Sequence, residues 1–245
     1  MKLSAIKVRR LEPPQDNFFQ ALDEVLPPLQ ENDVIAVASK AVAIHEGRCV
    51  PKGSNEGDKT QRNLLIQKES DYIIKTPTPN SWDLTIKNHM VTFAGGLDES
   101  NAGEYYILLP KDPMRSARDI RAHLQKKHNV KNLGVVITDS TALPFRQGVI
   151  ALSIGFAGFK PVNDYVGKPD LFGRPFVWTY VNVVDSIAVA AAFEMGETDE
   201  STPVCIVRDI PRITFTDEDV AQELLINPPD DVFYPLFKDF YKPEW

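Results

Sequence analysis

The chain has 245 residues, of which 43% are hydrophobic and 25% are charged, and its formal net charge is −7 at pH 7. This length provides one large domain or two small ones with an ample core, and the composition is that of an ordinary globular protein. The 27 Lys and Arg residues are scattered along an acidic chain. That distribution argues against a nucleic-acid-binding surface, although it leaves room for local phosphate-binding pockets.

The N-terminal sequence, the length of the apolar runs and the cysteine spacing together predict a cytoplasmic protein. The N-terminal stretch MKLSAIKVRR has no apolar core of signal-peptide length, and the chain has no apolar run of the roughly 18 residues that a membrane helix requires. Cys49 and Cys205 have no CxxC spacing, so they suit a reducing compartment as plain buried thiols. We therefore expect a soluble protein that does not contact a membrane.

Strands and helices alternate in the first half of the chain. Alternating or continuous apolar residues indicate strands, and apolar residues at helical spacing indicate helices. A cap at Asp16 or Asn17 favours the start of the first helix. The predicted elements are, in order, a strand at 2–8, a helix at 16–26, a buried strand at 33–39, a loop at 51–59, a helical segment at 59–75 that includes Leu64, Leu65 and Ile73, a loop at 77–83, and strands around 86–93 and 105–109.

The clearest helix–strand unit spans residues 112–141. Residues 112–128 form an amphipathic helix with Pro113 in its first turn, and its apolar stripe comprises Met114, Ala117, Ile120 and Leu124. This helix leads into the strand GVVITDST at 134–141. The strand would carry Asp139 at its carboxyl end, which is where α/β sheets collect ligands.

The remainder of the chain predicts a mixed α/β or α+β fold rather than a doubly wound sheet, because the alternation lacks a clean βαβαβ rhythm. The helix at 185–196 is apolar on nearly every face and is therefore predicted to be buried. The other elements are a strand at 148–159, a turn-rich polar segment at 161–176, a strand at 177–184, a strand at 203–209, and two short tail helices interrupted by NPPDD at 227–231.

Three clusters of acidic and polar residues follow predicted strands or a helix. Carboxylate, hydroxyl and amide oxygens are the ligands that Mg²⁺ and Mn²⁺ prefer, usually with phosphate and water completing the shell. Taken singly, each cluster is better explained by the turns and caps in which Asp, Asn, Ser and Gly are common. The candidate ligands are Asp98, Ser100 and Asn101 in the first cluster, Asp139, Ser140 and Thr141 in the second, and Glu197, Asp199, Glu200 and Ser201 in the third.

The paired glycines Gly95 and Gly96 favour a ligand at the first cluster, because glycine lets a backbone approach a bound group closely. Motifs of the common nucleotide-binding, hydrolase and zinc-protease classes are absent from the sequence. Basic residues suited to phosphate or carboxylate are available, although solvated loops explain them equally well. These residues are Lys40, Arg48, Arg146, Lys168 and Arg174.

Taken together, seven short stretches resemble the coenzyme F420-0:γ-glutamyl ligase family. They occur in the family's order over roughly residues 1–210 of a predicted single unit at 1–245, which ends in a helical tail at 211–245. Two positions depart from the family, with Ile44 and Leu143 standing where it usually has a lysine and an arginine. The seven stretches are SK (39–40), EGR (46–48), GGLDESN (95–101), GVVITDS (134–140), PFRQG (144–148), DYVGKPDLFGR (164–174) and MGE (195–197).

The resemblance implies a homodimer of mixed α/β fold that uses GTP or ATP with Mg²⁺ or Mn²⁺. It implies attachment of L-glutamate by an amide to a carboxylate of a folate-type or F420-0-type cofactor, through an acyl phosphate. The two missing cations favour a folate-type acceptor, and the apolar tail FYPLFKDFY offers surface for the dimer. Alternative hypotheses are a non-catalytic dimeric binding protein and a metal-dependent phosphatase or kinase.

The resemblance also assigns site residues by position. The predicted metal ligands are Asp98, Asp139, Ser140 and Glu197, with Ser140 at a position where the family usually has threonine. The predicted catalytic residues are Asp139, Ser140 and Arg146. The predicted nucleotide-binding residues are Leu11, Glu12, Pro13 and Pro14 in a first loop, Ser39 and Lys40 in a second, and Asn101.

Overall fold

The computed structural model describes residues 1–53, 59–74 and 84–240. Residues 54–58 of the loop predicted at 51–59, the whole loop predicted at 77–83, and Tyr241 of the apolar tail lie outside the described residues. The helices are α1 (Phe18–Val25), α2 (Ser39–His45), α3 (Lys59–Glu69), α4 (Pro113–His128), α5 (Val183–Met195) and α6 (Tyr234–Phe237). Short 3-10 turns occur at Ala94–Gly96, Ala221–Leu224, Pro228–Asp230 and Lys238–Phe240.

The strands are β1 (Lys2–Ile6), β2 (Asp33–Ala38), β3 (Cys49–Pro51), β4 (Tyr72–Ile74), β5 (Leu84–Lys87), β6 (Met90–Phe93), β7 (Tyr105–Ile107), β8 (Leu133–Ala142), β9 (Val149–Ala157), β10 (Val162–Asp164), β11 (Tyr180–Asn182) and β12 (Val204–Arg208). Within the described residues they form one central sheet and three small ones. The central sheet has the order β1-β12-β2-β8-β9, and the small sheets are β10-β11, β3-β7 and β4-β5-β6.

Helices cover both faces of the central sheet, so its inner strands are buried on both sides. In β2, Ile35 and Val37 face a core shared with α1, α2 and α4, while Val34 and Ala36 face a core shared with α5. This explains why the sequence of β2 is a continuous apolar run rather than an alternating one. The mixture of parallel and antiparallel pairing confirms the predicted α+β class.

The parallel pairing of β2 with β8 fixes the position of Asp139 in the sheet. β2 and β8 run parallel and end their pairing at Ala38 and Thr138, so Asp139 is the first residue beyond the parallel pair. β8 itself continues to Ala142, paired with β9 after a register shift between Ile137 and Thr138. The predicted strand at 134–141 is therefore confirmed to within one residue at each end, and Asp139 lies at the carboxyl edge of the parallel pair, as expected.

Several predicted elements are confirmed at their ends. Asn17 caps α1 by accepting a hydrogen bond from the Gln20 amide, and Asp112 caps α4 by accepting one from the Arg115 amide. Ala117, Ile120 and Leu124 of the α4 stripe are buried in the core.

Other predictions are wrong for local reasons. The helix at 59–75 ends at Glu69, and Ile73 lies in β4 opposite Thr85, because the β-branched pair Ile73 and Ile74 suits a strand. Residue Val183 begins α5 rather than extending β11, because the Asn182 side chain caps the helix. Finally, α5 is not buried on every face, since Phe193 is 90% exposed. In the tail, NPPDD contains a 3-10 turn of its own.

Within the described ranges, no helix combines the length and the apolar character needed to cross a membrane.

Candidate active site

A cleft of about 990 Å³ opens at the carboxyl edge of the β2–β8 pair. Its lining includes the loop after β1, the start of α2, the segment from β6 to β7, and the loop after α5. Asp139 and Ser140 of β8 form part of its lining. The three acidic clusters, which are far apart in the sequence, therefore meet around one cavity.

Asp139 is the deepest of the candidate acids. Its Oδ1 atom accepts a hydrogen bond of 2.6 Å from the Ser39 hydroxyl at the start of α2. Burial, together with the nearby charges of Asp98 and Glu197, raises the pKa of Asp139 to about 7, although the Ser39 hydrogen bond and Lys40 oppose the rise. The carboxyl is therefore poised between its neutral and charged forms near neutral pH.

Asp98 is held in its charged form by Lys40. The Lys40 ammonium lies 2.8 Å from Oδ2 of Asp98 and donates to the Ser100 carbonyl and hydroxyl oxygens at 2.6 and 2.9 Å. The Ser100 amide and hydroxyl donate to Oδ1 of Asp98 at 2.7 and 2.8 Å. Burial opposes ionisation of this carboxyl, but Lys40 and the Ser100 donors together lower the pKa of Asp98.

Glu197 enters the cleft because α5 stops at Gly196. The Ser140 hydroxyl donates to the two carboxylate oxygens of Glu197 at 3.0 and 3.3 Å. Asn101, in the loop that carries Asp98, donates from Nδ2 to the Thr198 carbonyl oxygen at 2.8 Å. The loop after α5 is thereby tied both to β8 and to the loop of Asp98.

The oxygen donors fit a hard divalent cation in their chemistry. Asp98, Asp139, Glu197 and Ser140 supply carboxylate and hydroxyl oxygens, which Mg²⁺ and Mn²⁺ prefer. The negative charges of Asp98 and Glu197 disfavour ionisation of Asp139, and a bound cation would relieve this repulsion. In this structure each of the three acids instead accepts a hydrogen bond from a protein donor. Within the described segments, no three acidic, His or Cys side chains lie close enough together to ligate one ion.

Most of the first predicted nucleotide loop, residues 11–14, lines the cleft. Leu11, Glu12 and Pro13 line the cavity, whereas Pro14 does not, and the Leu11 side chain is buried in the core. The Asp16 carboxylate accepts a hydrogen bond of 3.0 Å from the Glu12 amide.

Ser39 and Lys40, predicted to form a second nucleotide loop, instead form the first turn of the short helix α2, and both line the cleft. The last turn of α2 holds the loop after β1, because the Asp16 amide donates to the Ile44 carbonyl oxygen at 3.4 Å and the Gln15 side chain donates to the His45 carbonyl oxygen at 3.1 Å.

Arg146 lies apart from the other predicted site residues. It is exposed in the connection between β8 and β9 and is not part of the cleft lining. Ile44, where the family usually has lysine, lines the cleft, while Leu143 lies exposed in the same β8–β9 connection as Arg146. Arg48 is directed away from the cleft, towards Glu69 and the Leu109 carbonyl oxygen.

Sequence reasoning missed two features of the cleft. Arg9 and Arg10 line it. The one sequence signal for this was their position next to the predicted loop at 11–14. The hydrogen bond from Ser39 to Asp139 also went unforeseen, because it joins residues one hundred positions apart and depends on the register of the parallel pair.

Gly95 and Gly96 serve the protein's own packing more than a ligand. Both have positive φ angles, of 66° and 75°. A Cβ atom on Gly95 would lie 2.7 Å from the Ser70 hydroxyl oxygen, and one on Gly96 would lie 2.4 Å from Cδ1 of Leu109. The glycines therefore let the chain turn tightly against α3 and the core just before Asp98.

We expect Gly96→Ala to destabilise the protein more than Gly103→Ala. Both glycines line the cleft and have positive φ, so both substitutions incur left-handed strain of about 1 kcal/mol. A Cβ on Gly103 meets nothing within 4 Å, whereas one on Gly96 clashes with the buried Leu109, which adds about 1–3 kcal/mol. Urea unfolding of the two variants measures the difference, and equal midpoints would contradict the packing role.

Comparisons with known proteins agree with the geometry. A family profile described as F420-0:Gamma-glutamyl ligase matches residues 6–209. A protein of Methanopyrus kandleri named Coenzyme F420:L-glutamate ligase is 32% identical over 95% of this chain and 97% of its own length. Proteins of the same name from Methanococcus maripaludis and Methanocaldococcus jannaschii are 34% and 33% identical, over 84% and 74% of this chain and 86% and 77% of their own lengths.

The family profile covers most of the chain, including all three acidic clusters and both predicted nucleotide loops. The resemblance predicted from the seven stretches is thereby confirmed, and the chain belongs to the F420-0:Gamma-glutamyl ligase family.

Proposed function

We propose that this protein is a ligase that joins L-glutamate through an amide bond to a carboxylate of an F420-0-type or folate-type cofactor, using GTP or ATP and a divalent metal. The observation that carries the proposal is the meeting of Asp98, Asp139, Ser140, Glu197 and Lys40 in one cleft of a chain that aligns almost end to end with proteins named Coenzyme F420:L-glutamate ligase. Those names favour an F420-0-type acceptor, and the uncharged Ile44 beside the cleft is the reason to test folate as well.

The reaction explains why the cleft is lined by acids rather than by a nucleophile. A carboxylate is a poor electrophile, so amide formation requires prior transfer of a phosphoryl group to it, which gives an acyl phosphate. The amine of glutamate then attacks the acyl carbon and displaces phosphate. Positioning and charge stabilisation account for most of the catalysis of phosphoryl transfer. Mg²⁺ or Mn²⁺, when bound, neutralises phosphate charge.

The residues of this chain have distinct roles in the proposal. Asp98, Asp139, Glu197 and Ser140 would hold the metal, and Ser39 orients Asp139 through its 2.6 Å hydrogen bond. Lys40, now 2.8 Å from Asp98, is the cation nearest the acids and would turn to the nucleotide phosphates once a metal occupies the carboxylates. Asn101 and the peptide groups of the loop at 11–14 would contact the nucleotide.

Two other functions remain to be separated from this one by experiment. A metal-dependent phosphatase or kinase would use the same oxygens, and a non-catalytic relative would keep the cleft without turnover. We also propose that the protein is a homodimer located in the cytoplasm. Phe233 and Leu236 of the tail are exposed, as the prediction of a dimer surface there requires.

The decisive assay offers the protein L-glutamate, Mg²⁺ or Mn²⁺, and GTP or ATP, with F420-0 and reduced folate in separate reactions. We expect a product heavier by one glutamyl residue, detected by mass spectrometry, together with one phosphate released per amide formed. Reactions lacking glutamate or containing EDTA serve as controls. Phosphate release that does not depend on glutamate would favour the phosphatase, and bound ligand without any product would favour the binding protein.

A further inference from the structure

Arg9 and Arg10 are neighbours that both line the cleft, but their partners differ. The two terminal nitrogens of Arg9 donate to the Asp16 carboxylate at 2.6 and 2.8 Å. One of them also donates to the Arg10 carbonyl oxygen at 3.3 Å, and Nε of Arg9 lies 3.9 Å from the Glu24 carboxylate. The guanidinium of Arg9 is therefore occupied by groups of the protein itself.

Arg10 leaves most of its guanidinium available. Within the described residues, its side chain forms a single hydrogen bond, from Nε to Oε1 of Glu12 at 2.8 Å. The side chain is 84% exposed. Glu12 thus holds one edge of the guanidinium, while the end with the two terminal nitrogens can still form two parallel hydrogen bonds to an oxyanion.

The backbone that carries Arg10 is fixed on both sides. Before Arg10, the Val8 amide donates to the Ser201 carbonyl oxygen at 2.9 Å, which joins this segment to the loop of Glu197. After Arg10, the Leu11 side chain is buried in the core. A ligand that binds Arg10 therefore has to order little more than the side chain itself, which keeps the entropic cost of the contact small.

Asp16 fixes the same segment from its far end. Its carboxylate accepts the Arg9 hydrogen bonds and one from the Glu12 amide, and its own amide donates to the Ile44 carbonyl oxygen at 3.4 Å. The hydrogen bond to Arg9 holds the pKa of Asp16 below its usual range, so this carboxylate stays charged near neutral pH. The segment is thereby attached to α2, whose first turn also lines the cleft.

The charges of the cleft leave Arg10 as the available cation. Among the described residues, the other cations of the lining are Arg9, which Asp16 occupies, and Lys40, which lies 2.8 Å from Asp98. A ligand that carries phosphates requires donors that are not already used. Within that part of the lining, the terminal nitrogens of Arg10 meet this requirement.

We propose that the two terminal nitrogens of Arg10 bind a phosphate of the nucleotide. The predicted nucleotide loop begins at the next residue, Leu11, so the nucleotide is the substrate expected to lie against this segment. The inference rests on the proposed function, because it takes the ligand of the cleft to be a nucleotide. The carboxylates of glutamate offer a guanidinium the same chemistry, and the experiment separates the two sources.

The first measurement is equilibrium binding by calorimetry in Mg²⁺, with GDP, ADP and pyrophosphate as probes. We expect Arg10→Gln to weaken binding of the preferred nucleotide about 10–100-fold, the range for hydrogen bonds between charged groups. Pyrophosphate has neither base nor ribose, so an equal factor for pyrophosphate locates the contact at the phosphates. Arg115→Gln, at an exposed arginine of α4 outside the cleft lining, is the matched control and should bind every probe as the wild type does.

The second measurement separates charge and ligand type. Arg10→Lys keeps the charge but lacks the planar fork, so we expect it to recover part of the lost affinity and not all of it. L-Glutamate should bind equally to the wild type and to Arg10→Gln. The circular dichroism spectra of all variants should agree, because both substituted side chains are exposed.

Unchanged binding of the diphosphates to Arg10→Gln would overturn the proposal. Weakening of the nucleotide but not of pyrophosphate would also overturn it, and so would weakening of L-glutamate in their place. A lysine variant as tight as the wild type would overturn the paired hydrogen bonds.

These binding constants do not require turnover. A wild type that binds the diphosphates but forms no amide would contradict the proposed function, and the comparison with Arg10→Gln would still decide the role of Arg10. A wild type that binds none of the three probes would overturn the Arg10 contact.

Discussion

Asp139→Asn is expected to lower the rate of ligation by about three orders of magnitude or more, while the fold remains intact. Asparagine keeps the shape of the side chain, and its carbonyl oxygen still accepts the hydrogen bond from Ser39. The charge that would hold a divalent cation is lost. The rate is measured as kcat with saturating glutamate, acceptor and nucleotide. Asp199→Asn, at an exposed acid of the same cleft, is the matched control and should retain most of the activity.

The same substitution should stabilise the metal-free protein above about pH 5. Burial raises the pKa of Asp139 from 3.8 to about 7. The folded state therefore binds the proton more tightly than the unfolded state does. The stability that this proton contributes is complete below the unfolded pKa of 3.8 and is lost as pH rises through about 7. Asparagine resembles the protonated form and avoids the loss, which amounts to at most about 4 kcal/mol.

Urea unfolding in EDTA, at about pH 4 and about pH 8, measures this effect. The free energy of unfolding of Asp139→Asn should match the wild type at the lower pH and exceed it at the higher one. A variant that is inactive but no more stable than the wild type at the higher pH would contradict the burial of an ionisable Asp139. A variant with near wild-type kcat would contradict the metal role.

Metal and nucleotide together should stabilise the wild type far more than the sum of their separate effects. The carboxylates of Asp98, Asp139 and Glu197 line the same cleft, and carboxylates repel a phosphate of like charge, so they oppose binding of a free nucleotide. A divalent cation relieves this repulsion, and the phosphates then balance the cation. Closing the acids around an ion also requires Lys40 to release Asp98, and phosphate gives it an alternative partner.

Thermal unfolding with Mn²⁺ alone, GTP alone and both together measures the coupling. Ligands at about 100 times their Kd contribute about 2.7 kcal/mol, which is about 5–10 °C in Tm for a chain of this size. We expect a joint shift in that range and separate shifts of about 2 °C or less. Asp98→Asn should lose most of the joint shift, and Asp199→Asn should keep it. Strictly additive shifts, or equal nucleotide binding in EDTA, would show that the acids are turn formers.

Features that depend on local patterns could be predicted from the sequence. The apolar stripe of α4, the cap at Asn17 and the buried run of β2 depend on residues a few positions apart, and the structure confirms each of them. The helix predicted through Ile73 failed because pairing with β5 decides that segment, and spacing along one chain does not reveal a partner strand.

The arrangement of the site was only partly predictable for the same reason. The sequence identified Asp98, Asp139 and Glu197 as oxygen donors, but their common cleft follows from the sheet order and from the end of α5 at Gly196. The pairing of Lys40 with Asp98 joins the first turn of α2 to a loop 58 positions further along the chain, a separation that no local sequence pattern reveals. The exposure of Phe193 on an apolar helix likewise depends on what α5 packs against, which composition does not show.

The helix α2 acts as a spacer of fixed length. It contains seven residues and is therefore about 10 Å long. Ser39 and Lys40 face the cleft at one end, and the loop at 11–14 is attached through Asp16 and Gln15 at the other. Removing one residue would turn its ends by about 100° relative to each other and shorten it by about 1.5 Å. The length of the helix thus sets the separation between Ser39 and Lys40 at one end and the loop at 11–14 at the other.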